Sequence, residues 1–143
     1  MYARGQLVAQ DDVQAVFWWR KAAEQGHAEA EYNLADMYFM GRGVTQDDSR
    51  ALQWFRKAAE QGYADAQNNL GIGYALGRGT ARDDAVAVEW FRKAANLGSA
   101  AAQNNLGTMY QQVEHCRKTM GWRCSGSAGQ LSRVMPLRNI MLD

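Results

Sequence analysis

Apolar residues recur along this chain at helical spacing, and the pattern then repeats as a block. Ala30, Leu34, Met37 and Tyr38 stand at i, i+4, i+7 and i+8, one stripe along a helix running over roughly 28–40. Gly41-Arg42-Gly43 breaks that helix, because glycine readily takes positive φ. Asp47 and Asp48 then supply an N-cap and first-turn negative charge for a second helix. Its buried side is predicted to carry Ala51, Leu52, Phe55, Ala58 and Ala59, and Gly62 ends it as a left-handed residue. The same plan returns from Ala64 to Leu97.

The copies are close. Trp54-Phe55-Arg56-Lys57-Ala58-Ala59-Glu60-Gln61-Gly62 repeats Trp18 to Gly26 with one difference, Phe55 for Trp19, and Trp90 to Ala95 opens a third copy, each 36 residues on. Gly5, Gly41 and Gly77 keep the step, as do Leu34, Leu70 and Leu106, and Asn33, Asn69 and Asn105. A period of this length means stacked structural units, since one helix pair cannot bury its own apolar faces. Small residues at Ala30, Ala66 and Ala102 mark close helix crossings. The predicted fold is all-α, an α/α superhelix (solenoid) of antiparallel helix pairs, right-handed by analogy with other such arrays. Six main helices are expected between about Asp11 and Gln112, without a sheet.

At this point the sequence resembles a known family. A-x-A-x-x-N-L-[AG]-x-x-Y followed by G-R-G-[VT]-x-x-D-D-x-x-A-[LV]-x-W-F-R-K-A-A-x-x-G is similar to the Sel-1-like repeat, a cousin of the tetratricopeptide repeat. The resemblance covers about residues 2–112. It implies a solenoid acting as an adaptor in protein complexes. Leu7 departs from it, standing where the second loop glycine belongs, and the pattern is lost after Gln112.

Both ends are irregular. Met1-Tyr2 takes the slots of Met37-Tyr38, so the chain is expected to start within a longer array. The chain divides into a repeat array over 1–112 and a non-repeat tail over 113–143. Synonymous codons for the tail, read two bases later, yield G-A-L-P-Q-D-D-G-L-A-V-Q-W-F-R-R-A-A-E-Q-G, which puts aspartates and tryptophan back on the 36-residue step. The tail is therefore expected to be a frameshifted sequence, poorly packed and mobile beyond Gln112, against the alternative of a C-terminal cap helix. Gly121, Gly126, Gly129 and Pro136 oppose a long helix there.

Charge and composition narrow the function. A formal net charge of +1 argues against nucleic acid as the main partner. No apolar run is long enough for a membrane span, and the N-terminus has no signal-peptide pattern, although a longer parent could be exported. Cys116 and Cys124 with His115 fit no standard zinc spacing, no nucleophile–base set recurs, and no phosphate loop is present, so neither metal nor cofactor nor catalysis is expected. Asp47-Asp48 and Asp83-Asp84 read as helix caps, Trp18, Trp54 and Trp90 as repeated core or interface residues, and the Arg-Lys pairs at 20–21, 56–57 and 92–93 as solvated. Arg78, in a loop, is expected to matter little to stability.

Binding candidates lie on the first helix of each pair, opposite its apolar stripe. Asn33 and Asp36 share a side through i, i+3 spacing, and their copies are Asn69 with Ile72 and Asn105 with Thr108. The repeated amide suits a peptide backbone and the varied position suits side-chain selection; alternatively the asparagines bond neighbouring helices. The expected function is a scaffold that binds a protein or peptide through the concave face, with self-association through uncapped repeat ends. Two alternatives stand. Cysteine-rich relatives of the repeat are linked to β-lactam hydrolysis or binding, but they carry a cysteine pair in each repeat, and residues 2–112 contain no cysteine. A truncated gene fragment without retained function is the other.

Overall fold

The computed structural model describes residues 4–120. They form six helices and no strand: α1 (Arg4–Glu24), α2 (Ala28–Met40), α3 (Asp48–Glu60), α4 (Ala64–Leu76), α5 (Asp84–Asn96) and α6 (Ala100–Met120). Consecutive helices pack on one another along the whole series. The all-α architecture of stacked helix pairs is therefore as the repeat predicted. Ala51, Leu52, Phe55, Ala58 and Ala59 are all buried, as the second-helix stripe required, and Leu34 and Leu70 are fully so.

Each four inner helices, α2 to α5, have 13 residues, and their ends are chemically specified. Gly41 and Gly77 stop α2 and α4 in the left-handed conformation, at φ 70° and 69°. The aspartates Asp47 and Asp83 start α3 and α5 by accepting from the backbone N–H of Arg50 and Val86. Between them the linker is pinned by Asp47 N–H to Tyr38 O and Asp83 N–H to Tyr74 O, at 2.9 and 3.0 Å. Carbonyls at the far ends of α3 and α5 find side-chain donors too: the amides of Gln67 and Gln103 donate to Ala59 O and Ala95 O.

The second loop glycine has a steric purpose. A Cβ on Gly43 would lie 2.6 Å from the backbone of Asp12, and one on Gly79 would lie 2.4 Å from Asp48 O. The first loop thus rests on α1 at Asp12 and the second on the start of α3 at Asp48, and φ is +72° and +79° at these two glycines. The neighbouring arginine completes the joint. Arg42 donates two bonds to the Asp12 carboxylate at 3.1 and 3.2 Å. Arg78 does the same to Asp48 at 3.2 and 3.3 Å, and lies 3.7 Å over the Phe39 ring.

Arg78 is thus no idle loop residue, and Asp48 acts in an inter-repeat ion pair as well as in its helix's first turn. The Arg-Lys pairs also differ from expectation. The guanidinium groups of Arg20, Arg56 and Arg92 donate to the hydroxyls of Tyr38, Tyr74 and Tyr110 on the next helix. Lys57 and Lys93 lie over Trp54 and Trp90, each 4.4 Å from the ring centroid. These tryptophans are half-buried rather than core, and Trp18 is exposed. The core position of the second helix is the next one along, where Phe55 and Phe91 stand.

Both outer helices are longer, at 21 residues. The helix α1 runs through the slot of the first loop, where Leu7 replaces the glycine that would need positive φ. The helix α6 runs past Gln112 because Val113 and His115 occupy the slots of Gly77 and Gly79, and β-branched valine strongly disfavours the left-handed state. Val113 is buried with Met109 and Phe91, so the helical pattern does not end at Gln112 as the loss of repeat suggested. The frameshift reading of the tail beyond residue 120 falls outside the described residues.

Candidate functional site

The first helices α2, α4 and α6 carry all six predicted site residues: Asn33 and Asp36, Asn69 and Ile72, Asn105 and Thr108. Five are half-buried and Thr108 is exposed. The asparagines link successive first helices. Asn69 Nδ2 donates to the Tyr32 hydroxyl at 3.5 Å, and Asn105 Nδ2 donates to Asn68 Oδ1 at 2.8 Å. Asn33 has no earlier first helix to reach among the described residues.

Tyr32 sits at one end of this row. Its ring tilts against Tyr63 and Phe55, at centroid distances of 5.2 and 5.7 Å. Burial pushes its hydroxyl pKa up, with the Asp36 carboxylate adding to the effect and the Asn69 bond opposing it. Asp36 itself is raised above the ordinary carboxylate value by burial, against the pull of the Arg42 charge. The varied position of the row thus reads carboxylate, β-branched apolar, hydroxyl from α2 to α6.

The structure brings three of the six residues together. Ile72, Asn105 and Thr108 line a cleft of about 360 Å³ between α4, α5 and α6. Its apolar wall adds Leu76, Phe91 and Met109. Its polar side holds Arg82, Asp84 and Gln112. Asn33, Asp36 and Asn69 do not line it. Asp84 is 1% exposed, and the Arg82 guanidinium reaches both its oxygens at 3.4 Å.

Arg82 and Asp84 were not foreseen as site residues. The repeat offered a signal: Arg82 stands where the previous copy has Gln46, and Glu114 stands where it has Arg78. Among the described residues no three His, Cys, Asp or Glu side chains converge as metal ligands, and no helix is long and apolar enough to cross a membrane.

Comparison with known proteins decides the family. The Sel1 repeat model matches residues 1–27, 28–63, 64–99 and 100–112. This chain belongs to the Sel1 repeat family. Its boundaries divide the structure into an α1 unit, the pairs α2–α3 and α4–α5, and the first part of α6.

Solved structures agree. One is a protective antigen present in uropathogenic Escherichia coli strains, displaying an SLR fold; it is 41% identical over 76% of this chain, with a TM-score of 0.68. The chain spans 22% of that antigen's length. A Sel1 repeat protein from Oxalobacter formigenes is 40% identical over 65% of this chain and 70% of its own, with a TM-score of 0.64. Helicobacter pylori cysteine rich protein B is 31% identical over 64% of this chain and 68% of its own, with a TM-score of 0.61. No curated protein matches the chain.

Proposed function

We propose that this Sel1 repeat array is a non-catalytic scaffold that binds an extended segment of a partner protein across α2, α4 and α6. Sel1 repeat solenoids typically serve protein interaction. The observation that carries the reading is the cross-linked amide row. Asn69 and Asn105 each commit the Nδ2 donor to a neighbouring first helix, which fixes the side chain. Their Oδ1 atoms have no such intrachain bond among the described residues, so a fixed acceptor is offered to a peptide N–H. A preorganised acceptor binds at little entropic cost. Beside it the side chain changes from Asp36 to Ile72 to Thr108, which suits partner selection by position.

Selection of twelve-residue peptides displayed on phage tests this. Enriched peptides should bind the chain and lose about tenfold affinity, ~1.4 kcal/mol, on Ile72→Glu or Thr108→Glu. Gln53→Ala, on the exposed side of α3, should leave binding unchanged. Failure to enrich any peptide, or enriched peptides indifferent to all three changes, would contradict the reading. No turnover of nitrocefin is expected, since residues 2–112 lack the cysteine pairs of the β-lactam-linked relatives.

A further inference from the structure

Two places in this array show what normally sits on the repeated aspartate at this slot: Asp12, within the continuous helix α1, and Asp48, at the start of α3. Arg42 grips Asp12, and Arg78 grips Asp48, each with two bonds from one guanidinium. Asp84 is the third member of that series, 36 residues beyond Asp48. The residue 36 beyond Arg78 is Glu114, which lies on the run-on helix α6 and pairs with Lys118. Among the described residues the third seat therefore lacks the arginine of the series.

One wall of the seat also differs from its predecessor. Arg78 lies over the ring of Phe39, whereas the counterpart of Phe39 is Ala75, a residue that lines the cleft. A methyl thus stands in place of a phenyl ring in the cleft that Asp84 also lines. Among the described residues the cation on Asp84 is Arg82, two residues away in sequence, at 3.4 Å and with a side chain 56% exposed. That contact is long for a charge-assisted bond, so an incoming group could displace it at modest cost.

We propose that this cleft receives an arginine side chain from a partner peptide, with the guanidinium on Asp84 and the aliphatic stem against Leu76 and Met109. The buried carboxylate sets the charge of the occupant, and its two oxygens match the planar fork of arginine better than the point charge of lysine. Thr108 and Gln112 stand at the polar side, where a peptide backbone can bond. A second copy of the chain is a poor occupant. Its Arg42 and Arg78 are already committed to Asp12 and Asp48, and Gln6 holds the arginine slot at its N-terminal end. This inference rests on the scaffold reading and adds to it one end of the array and one side chain.

The test is an NMR titration of the isotopically labelled full chain with acetyl-Gly-Arg-Gly-Val-amide, the sequence of residues 41–44. Saturable shifts are expected in the amides of 72–76, 82–91 and 105–112, with a Kd on the order of millimolar, as suits so small a probe. Lysine in place of arginine should weaken binding about tenfold, and uncharged citrulline should abolish it. Arg82→Gln, which installs the residue type of Gln46, should tighten binding about threefold by removing the internal competitor. Asp84→Asn should abolish it. The Arg82→Gln result remains decisive if Asp84→Asn impairs folding. Absent shifts, shifts confined to other residues, equal binding of the citrulline peptide, or no gain in Arg82→Gln would each overturn the proposal. An arginine of residues 121–143 already in the cleft would appear as absent shifts. None of these outcomes bears on peptides selected through Ile72 and Thr108, whose failure alone would count against the scaffold.

Discussion

The inner linkers and the two outer ones start from the same repeat and end differently. Between α2 and α3, and between α4 and α5, a left-handed glycine stops the first helix. A second glycine then lets the loop touch the preceding repeat, and an arginine grips an aspartate there. At the outer positions Leu7 takes one of these glycine slots, and Val113 and His115 take both. There the helices run on to 21 residues. One or two side chains thus decide whether the chain turns or continues, because the backbone state needed for the turn is open to glycine and costly to a residue with a Cβ. The lost turn at the C-terminal side has a further effect. It withdraws the arginine that Asp84 would have received and leaves the cleft.

The largest effect should come from the loop itself. Gly79→Ala should destabilise by about 2–4 kcal/mol, since it adds left-handed strain to a clash with Asp48 O. Gly62→Ala has the same strain at φ +88° but nothing within 4 Å of the new methyl, so it should cost only about 1 kcal/mol. Chemical denaturation of the two variants measures the difference, and equal costs would remove loop docking from the account. Leu70→Ala, fully buried between the repeats, belongs with the larger class at ~2–5 kcal/mol.

The joint's ion pair comes next. Arg78→Ala should cost about 1 kcal/mol, because the pair is bidentate yet both side chains keep partial solvent access. Arg82→Ala should cost less than about 0.5 kcal/mol, its contact with Asp84 being longer and its side chain more exposed. A ranking in the opposite order would show that the inner clamp is not the stronger one.

These residues show where sequence reading reached its limit. The period fixes the helices, and a stripe such as Ala51, Leu52, Phe55 reports burial directly, because packing follows helical spacing. Tertiary partners 18, 30 or 37 residues apart leave no such local trace. Arg20 with Tyr38, Arg78 with Asp48 and Asn105 with Asn68 pair across helices at those separations. The first two pairs recur in the repeat, and the third keeps its asparagine while the partner changes from Tyr32 to Asn68, so recurrence marks a structural need without naming the partner. Trp18, Trp54 and Trp90 illustrate the converse: a repeated tryptophan invites a core assignment, yet the geometry puts the ring at the rim beneath a lysine ammonium at Trp54 and Trp90. The cleft was legible only as a break in the series, Ala75 for Phe39 and Glu114 for Arg78.

The smallest effect is electrostatic. Glu31 and Asp36 on α2 both have carboxyl pKa values raised by burial above 4.5 and 3.8. The folded state then holds protons that the unfolded state has released. Their contribution to stability is greatest below those ordinary values and is lost as pH rises through the raised ones. Glu31→Gln with Asp36→Asn should therefore flatten the pH dependence of Tm in the window just above pH 4, by roughly 2 °C. A parental profile already flat there would contradict the assignment.

Restoring the missing turn tests the central claim most directly. In the parent chain, Cα secondary chemical shifts should be helical without interruption from Ala100 to Met120. In the triple variant Val113→Gly, Glu114→Arg, His115→Gly, helical shifts should end near residue 112, as they should near Met40 and Leu76 in the inner repeats. An interruption at Val113 in the parent chain, or an unbroken helix in the triple variant, would contradict the account.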